Sequence, residues 1–478
     1  MLKKADVTVR CLKSPHQNES FTKYKPLDPS LRDEVFTAVR EILDSAGGSV
    51  MLKSSRDVYI KPNGISNKPY SYTRPELVEA VIRYFKDIGA KNIFLFENST
   101  QANATRLVFE LVGYSEICRR FGVNQVFLDE EKNILFTFQG KKNEAEEADG
   151  YRSTTFNMPE FIIKRLIEKK DENLYINLPK LKTHSMAGVT LGIKNQWAFP
   201  QHNDRRADHN YNLPYKLNDV LSYIQPDYTL IEGIEATIHG HYPISAFSDQ
   251  CILPFKVLIG SNNVVAADLA GAKVFGLNTD DVTHLKIALE RGYCGKVKSW
   301  DDINVIGDIS DFTIKQPVDL IPVFPEDVNI IKGRERLCKE GCQNNPLTLL
   351  QELCYDYGGT GGFTIVMGKG FDDSEINAVQ GKVFVVGHCA IAEVGDALIS
   401  RLGKKNVYLS GHCNDLCASL NALCHLTKVS PLKFVPIPFL RALRLLMLSK
   451  LHGSRANTPN PFANIIKIAS THQVEKTM

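Results

Sequence analysis

Leu174-Tyr-Ile-Asn-Leu-Pro-Lys-Leu-Lys-Thr-His-Ser-Met-Ala-Gly-Val-Thr-Leu-Gly-Ile-Lys-Asn-Gln-Trp-Ala-Phe-Pro200 is the stretch whose reading decides the fold. Its first five residues, 174–178, form a short apolar run that predicts a buried strand. Pro179 has no N–H to give to a ladder and ends that strand. Lys180, Lys182 and His184 follow at alternate positions, so an extended backbone puts all three on one face. Gly188 and Gly192 allow close backbone approach, and Lys194-Asn195 closes the segment. A basic, glycine-spaced loop at the carboxyl end of a strand is where an open α/β sheet takes an anionic ligand. A merely solvated loop has no need of Leu191, Ile193, Trp197 and Phe199 among its charges.

The flanking chain repeats a strand–helix rhythm. A strand over 56–60 runs into Lys61-Pro62-Asn63-Gly64. Thr73-Arg74-Pro75-Glu76 opens a helix with a capping threonine, a proline in the first turn and a glutamate three residues on. Strands over 92–96 and 125–128 flank a helix over 104–121, and a helix over 159–169 leads into the quoted strand. Further on come a helix over 217–224, strands over 228–231 and 255–260, helices over 264–275 and 281–291, and a strand over 303–306. Alternation of this kind predicts a doubly wound, mostly parallel α/β sheet with right-handed crossovers. It sets Lys61, Asn63, Glu97, Asn98 and Lys180 at one sheet edge. The reading divides the chain into a lead-in (1–50), this α/β domain (51–326), a smaller cysteine-rich α/β domain (327–430) and a basic, apolar tail (431–478). Residues 141–149 read as a charged surface insertion. The polar stretch 202–209 is either a lid over the site or a surface loop. Asp268, polar inside an apolar helix, points at the site or caps something buried.

With 478 residues, the chain has room for two or three domains. A net charge of +3 and no nucleic-acid module argue against a nucleic-acid partner. No apolar segment follows the first residues and no run of about 18 uncharged apolar residues occurs, so a cytoplasmic protein is expected. Of 11 cysteines, seven fall between Cys338 and Cys424.

Lys61-Pro62-Asn63, Thr73-Arg74-Pro75, Asn177-Leu178-Pro179-Lys180-Leu181-Lys182-Thr183-His184, Gly192-Ile193-Lys194-Asn195 and the stretch from Asp227 to Glu232-Gly233 resemble the domain of unknown function 362. The resemblance spans about 58–308 and implies an α/β fold, a site on these residues and an association with iron–sulfur modules. The Cys-x2-Cys-x2-Cys run of a ferredoxin module is absent from this sequence. His184, Ala187-Gly188 and Lys194 are also similar to a loop of nickel-dependent lactate racemase.

The cysteine-rich part has its own rhythm. Arg334 to Cys342 reads as helical, with Cys338 and Cys342 on one face. Strands over 363–367, 382–386 and 406–409 end in Gly368-Lys369-Gly370, Gly387-His388-Cys389 and Gly411-His412-Cys413, and a helical stretch follows each. Parallel strands would bring the three turns to one edge. A thiolate at a helix amino terminus has a lowered pKa, which suits metal ligation or redox reactivity. Cys389 and Cys413 are the first candidate ligands, with Cys338, Cys342 and Cys417 beside them, for an iron–sulfur cluster or another thiolate-bound metal.

The leading expectation is an enzyme on a small anionic substrate, a carboxylate or phosphate, linked to that metal centre and to redox chemistry. His184 and Lys194 are the catalytic candidates. Lys61, Asn63, Arg74, Lys180, Lys182, Asn195, Glu232, His239 and His241 are the binding candidates. Two alternatives stand beside it: a non-redox racemase or isomerase with a metal-type cofactor at the basic loop, and a metal or cofactor carrier without turnover. A redox or metal-delivery protein is the expected macromolecular partner. The basic, apolar helix over 439–451 either packs on its own domain or lies on a membrane surface.

Overall fold

The computed structural model describes residues 6–16, 20–52, 56–100, 102–139, 154–209, 212–411, 413 and 415–456; the 141–149 insertion, His412 and the chain from 457 lie outside them. In chain order the first series of elements is β1 (Asp6–Cys11), α1 (Pro29–Ser45), β2 (Asp57–Pro62), α2 (Pro75–Asp87), β3 (Ile93–Glu97), α3 (Thr105–Val112), α4 (Tyr114–Phe121) and β4 (Asn124–Phe127). A hairpin of β5 (Asn133–Thr137) and β6 (Thr155–Pro159) precedes β7 (Asn173–Leu178), β8 (Lys180–His184), β9 (Gly188–Thr190), α5 (Gly192–Asn195), α6 (His202–Asp208) and α7 (Leu213–Tyr223). Then come β10 (Tyr228–Thr237), β11 (Ile252–Leu253), β12 (Val257–Ser261), α8 (Val264–Val274), α9 (Thr283–Glu290) and β13 (Asn304–Ile306).

These strands build one sheet in the order β13-β1-β12-β10-β7-β2-β3-β4. From β10 to β4 every neighbour is parallel, whereas β12 runs antiparallel to both β10 and β1. Alternation along each strand divides the core between two faces. Tyr59, Tyr175, Val257 and Ile259 pack on one face with α8, and Val58, Ile60, Leu174, Ile176 and Leu258 pack on the other with α1 and α2. The chain is therefore a mixed α/β protein with a large, mostly parallel sheet covered by helices on both sides.

The opening residues are part of that sheet, not a lead-in to it. Val7 and Val9 are buried, and β1 lies between β12 and β13. Thr8 and Arg10 alternate with them, a pattern too short to stand out by hydrophobicity alone. The segment after Pro179 also departs from the expected loop. Its backbone stays extended as β8, which pairs with β10 across a register shift between Glu232 and Thr237 and with β9 in a tight hairpin.

A second sheet, parallel throughout, is formed by β14 (Val328–Lys332), β15 (Phe363–Met367), β16 (Lys382–Val386) and β17 (Val407–Leu409), in sequence order. Its helices are α10 (Asn344–Gln351), between β14 and β15, α11 (Asp396–Leu402), between β16 and β17, and α12 (Leu416–Leu426) after β17. The parts of the chain that carry the two sheets meet through their helices and loops. Asn344 donates to Ser185 O at 2.7 Å, Gln351 donates to Ile321 O at 2.6 Å, and Lys68 pairs with Asp356. Finally α13 (Phe439–Leu451) lies on α3, with Leu445, Leu446 and Ile437 packed against Leu107 and Leu111. Among the described residues no helix is long and apolar enough to cross a membrane.

A buried ion-pair network fixes β8 on β10. Lys180 Nζ lies 2.6 Å from Glu232 Oε2 and 3.7 Å from Glu235 Oε2. Arg74 is bidentate on Glu235, and His16 Nε2 reaches the same carboxylate at 2.7 Å. Burial works against the Glu235 charge, but Arg74 and His16 hold it below the usual carboxylate range. Removing one member of a buried pair leaves an uncompensated charge. Lys180→Met is accordingly expected to lower unfolding stability by about 3–5 kcal/mol, measured by urea denaturation. Lys180→Met combined with Glu232→Leu should recover part of that loss.

Candidate functional site

The carboxyl ends of β2, β3 and β7 and the face of β8 meet in a layer of polar side chains. Lys61 Nζ donates to Glu97 Oε1 at 2.8 Å and to Asn195 Oδ1 at 3.3 Å. Asn63 donates to Asn195 Oδ1 at 2.8 Å, and Asn195 Nδ2 donates in turn to Asn177 Oδ1 at 2.8 Å. Lys182 Nζ donates to Asn63 Oδ1 at 2.7 Å and to Ser71 O at 2.6 Å. The short helix α5 carries Lys194 and Asn195 into this layer. Its first turn is capped by Asp268, which accepts from Gly192 N at 2.6 Å and Ile193 N at 2.8 Å. A Cβ at position 192 would come within 2.5 Å of Val264 Cγ2, so only glycine allows this approach. Burial pushes the Asp268 carboxyl up to about 7 against those two backbone donors.

This layer is one wall of a cavity of about 830 Å³. Lys182, Lys194, Arg205, His184, His209 and His241 all line it. Lys61 is neutralised by Glu97, but among the described residues Lys182, Lys194 and Arg205 have no carboxylate within ion-pair distance. Arg205 donates only to the carbonyls of Asn98 and Ser99. Concentrated positive charge in a buried place destabilises its own charged forms. Burial, reinforced by Arg205 and Lys61, pushes the Lys194 amine down to about 7. Burial, with Lys194 and Lys180, pushes the Lys182 amine well below its ordinary range.

The histidines form a stack above these cations. The rings of His184 and His241 lie 3.9 Å apart at 4°, and His209 lies 6.0 Å from His184. Burial and the adjacent charges push all three well down, His209 to about 3, so they are neutral at physiological pH. Their hydrogen bonds assign two tautomers. His184 Nδ1 accepts from Met186 N at 3.1 Å, which leaves the ring proton on Nε2. His209 Nδ1 lies 3.1 Å from Glu340 O, a group that only accepts, which leaves Nε2 with a free lone pair. One imidazole therefore presents a donor and the other an acceptor. His241 Nδ1, Asn98 Oδ1 and Trp197 Nε1 also line the cavity, and they have no hydrogen-bond partner among the described residues.

The structure thus brings together His184, Lys194, Lys182, Asn63, Asn195 and His241, with Lys61 beneath them. Arg74, Lys180 and Glu232 lie in the ion-pair network behind β8 and do not line the cavity. His239 turns away, in the left-handed region at φ 59°, with its Nδ1 3.1 Å from Asp319 O. Arg205 and His209 belong to the polar stretch after Pro200, which forms α6 and covers the site. Their only sequence signal was that unexplained density of charge and imidazole.

The cysteines gather at the edge of the second sheet. A Cβ on Gly387 would meet Cys342 Cβ at 2.7 Å and Cys413 Cα at 3.9 Å, so these three positions touch. Burial pushes the Cys342 thiol up to about 12, with Cys413 and Cys338 adding to it. Burial also raises Cys338, Cys413 and Cys417. This reverses the expected lowering, because Cys413 precedes α12, which starts at Leu416. For the same reason Cys413 and Cys417 do not share a helix face. Cys338 is also outside a helix, extended at φ −86° and ψ 119°, and Gly341 breaks the turn that follows it. The donors suit a thiolate-bound centre chemically, but among the described residues no three His, Cys, Asp or Glu side chains converge as a ligand set. Cys338 and His184 nonetheless line one further cavity of about 550 Å³, so the two sites adjoin.

A thylakoid-associated protein of Synechocystis sp. is 26% identical over 213 residues, 42% of this chain. The match spans 59% of that relative's length. A crystal structure of a Thermotoga maritima protein aligns over 83% of each chain with 9% identity and a TM-score of 0.37, a likeness too slight to carry an argument. The family described as "Domain of unknown function (DUF362)" matches residues 58–273, a span that holds every cation and histidine of the cavity named above. Residues 58–273, a little under half of this chain, are thus similar to the DUF362 family.

Proposed function

We propose that this chain is an enzyme that binds a carboxylate or phosphate at Lys182, Lys194 and Arg205 and moves a proton on the bound molecule. The observation that carries the reading is a set of three cations, Lys182 buried and Lys194 and Arg205 half-buried, which line one cavity and among the described residues have no carboxylate partner. An anionic ligand supplies the missing countercharge. Neutral His209 is placed as the base through Nε2, and neutral His184 as the donor through Nε2–H. Such a pair suits abstraction of a proton next to a carboxylate or carbonyl, the chemistry of an isomerase or racemase. Lys194, with its amine at about 7, changes charge within the working pH range.

The pH dependence follows with a definite sign. The Lys194 amine is charged below about 7 and neutral above it. Calorimetric affinity for inorganic phosphate is expected to fall roughly tenfold as pH rises from 6 to 9, the worth of one charge-assisted contact. Lys194→Met should bind weakly at all pH values with a flat profile. Tight phosphate binding by Lys182→Met, or a profile in Lys194→Met like that of the parent, would refute the assignment.

A second reading is favoured by the neighbouring thiols of Cys338, Cys342 and Cys413, the first of which lines a cavity together with His184. It makes the site part of a redox enzyme or of a metal carrier, with a thiolate-bound centre and a protein partner beside it. Protein purified without oxygen should then contain iron and acid-labile sulfide, and both should be lost in a Cys342→Ser, Cys413→Ser variant. Folded protein with phosphate affinity but no iron would remove this reading and leave the proton-transfer one.

A further inference from the structure

We infer that the cavity takes a single-chain amphiphilic anion, with an acidic head at Lys182, Lys194 and Arg205 and an aliphatic or prenyl chain lying beneath α13. The inference rests on the anion-binding reading and extends it to the opposite end of the same cavity.

The walls change character along the cavity. At the head end are the cations and histidines described above. At the far end are Leu107 and Leu111 of α3, Leu416 and Leu420 of α12, and Leu443 and Leu446 of α13. These leucines come from helices well separated in sequence, so the apolar end is assembled by the tertiary fold and is not the inner face of one helix. A carboxylate or phosphate with a few carbons fills a minor part of about 830 Å³, a volume at the large end of the range for ligand pockets. Such a ligand would leave the leucines facing water or a void, and protein interiors rarely keep either. A chain attached to the anion removes that apolar surface from water, and each end of the ligand then meets its complement. The roof is tied at both ends: Arg441 pairs with Glu110, and Ser454 donates to Asp129 at 2.6 Å. Along the cavity mouth Phe439 and Leu443 remain half exposed, an apolar threshold for an entering chain.

The test is a chain-length series on the full chain, by calorimetry, with straight-chain carboxylates from acetate to palmitate and the matching monoalkyl phosphates. Affinity is expected to rise about three- to fourfold per added methylene until the cavity is full, and the series with the tighter members identifies the head. Leu446→Trp, which fills the far end, should weaken binding of the twelve-carbon member at least tenfold while phosphate affinity stays the same. If that variant does not fold, the series on the parent protein decides alone. Short anions that bind as tightly as long ones would overturn the inference and leave the anion site standing. No binding by any anion, short or long, would overturn both.

Discussion

Positive charge buried without its counterpart is the constraint on which the rest of this structure depends. Five cations reach the carboxyl edge of the main sheet and the helix that covers it. Glu97 neutralises Lys61 and Glu232 neutralises Lys180, both at hydrogen-bond distance. Among the described residues Lys182 and Arg205 are left to amide and carbonyl oxygens, and Lys194 has no hydrogen-bond partner. Taking such groups out of water costs several kcal/mol each unless something returns the lost solvation. The fold withstands that cost because Asp268 fixes α5 and because two ion-paired lysines hold the adjoining strands. Those three cations line a cavity that also contains polar atoms without a hydrogen-bond partner among the described residues.

The same charges set the protonation of everything nearby. Three histidines that would titrate near neutrality elsewhere are kept neutral, and two of them have opposite hydrogen-bonding roles fixed by Met186 N and Glu340 O. Glu340 lies in the connection between β14 and α10 of the second sheet. The cysteine-rich part of the chain thus positions the imidazole of His209 and closes the wall over His184, whatever its thiols do.

Much of the fold was legible in the sequence, for reasons of pattern. Strands β2, β3 and β7 read as short apolar runs between helices, and α13 has the expected limits because a long apolar helix after prolines is hard to misread. The cap expected of Thr73 is not made: α2 follows Arg74 without a side-chain cap, and Thr73 Oγ1 donates to Leu178 O. The site was legible only where chemistry clustered along the chain, as at Lys182, His184 and Lys194. Which cation binds and which is structural could not be read, because Lys180 and Lys182 differ only in what faces them. Glu232 lies 52 residues from Lys180 and meets it through sheet pairing. Arg205 and His209 lay in a stretch readable as a lid or a surface loop but not as site residues, because α6 is short and polar and its place over the site appears only in the fold. The thiol of Cys413 was misread because a cysteine just before a helix was taken for one at its first turn, whereas burial governs there.

The central claim concerns one amine. The pKa of Lys194, followed through the ¹³Cε shift of labelled lysine with Lys194→Met as the assignment control, tests it directly. A midpoint near 7 that moves upward when phosphate is added is the expected result. A midpoint in the ordinary lysine range, about 10.4, unmoved by phosphate, would contradict the account of this cavity as a cationic site built for an anion.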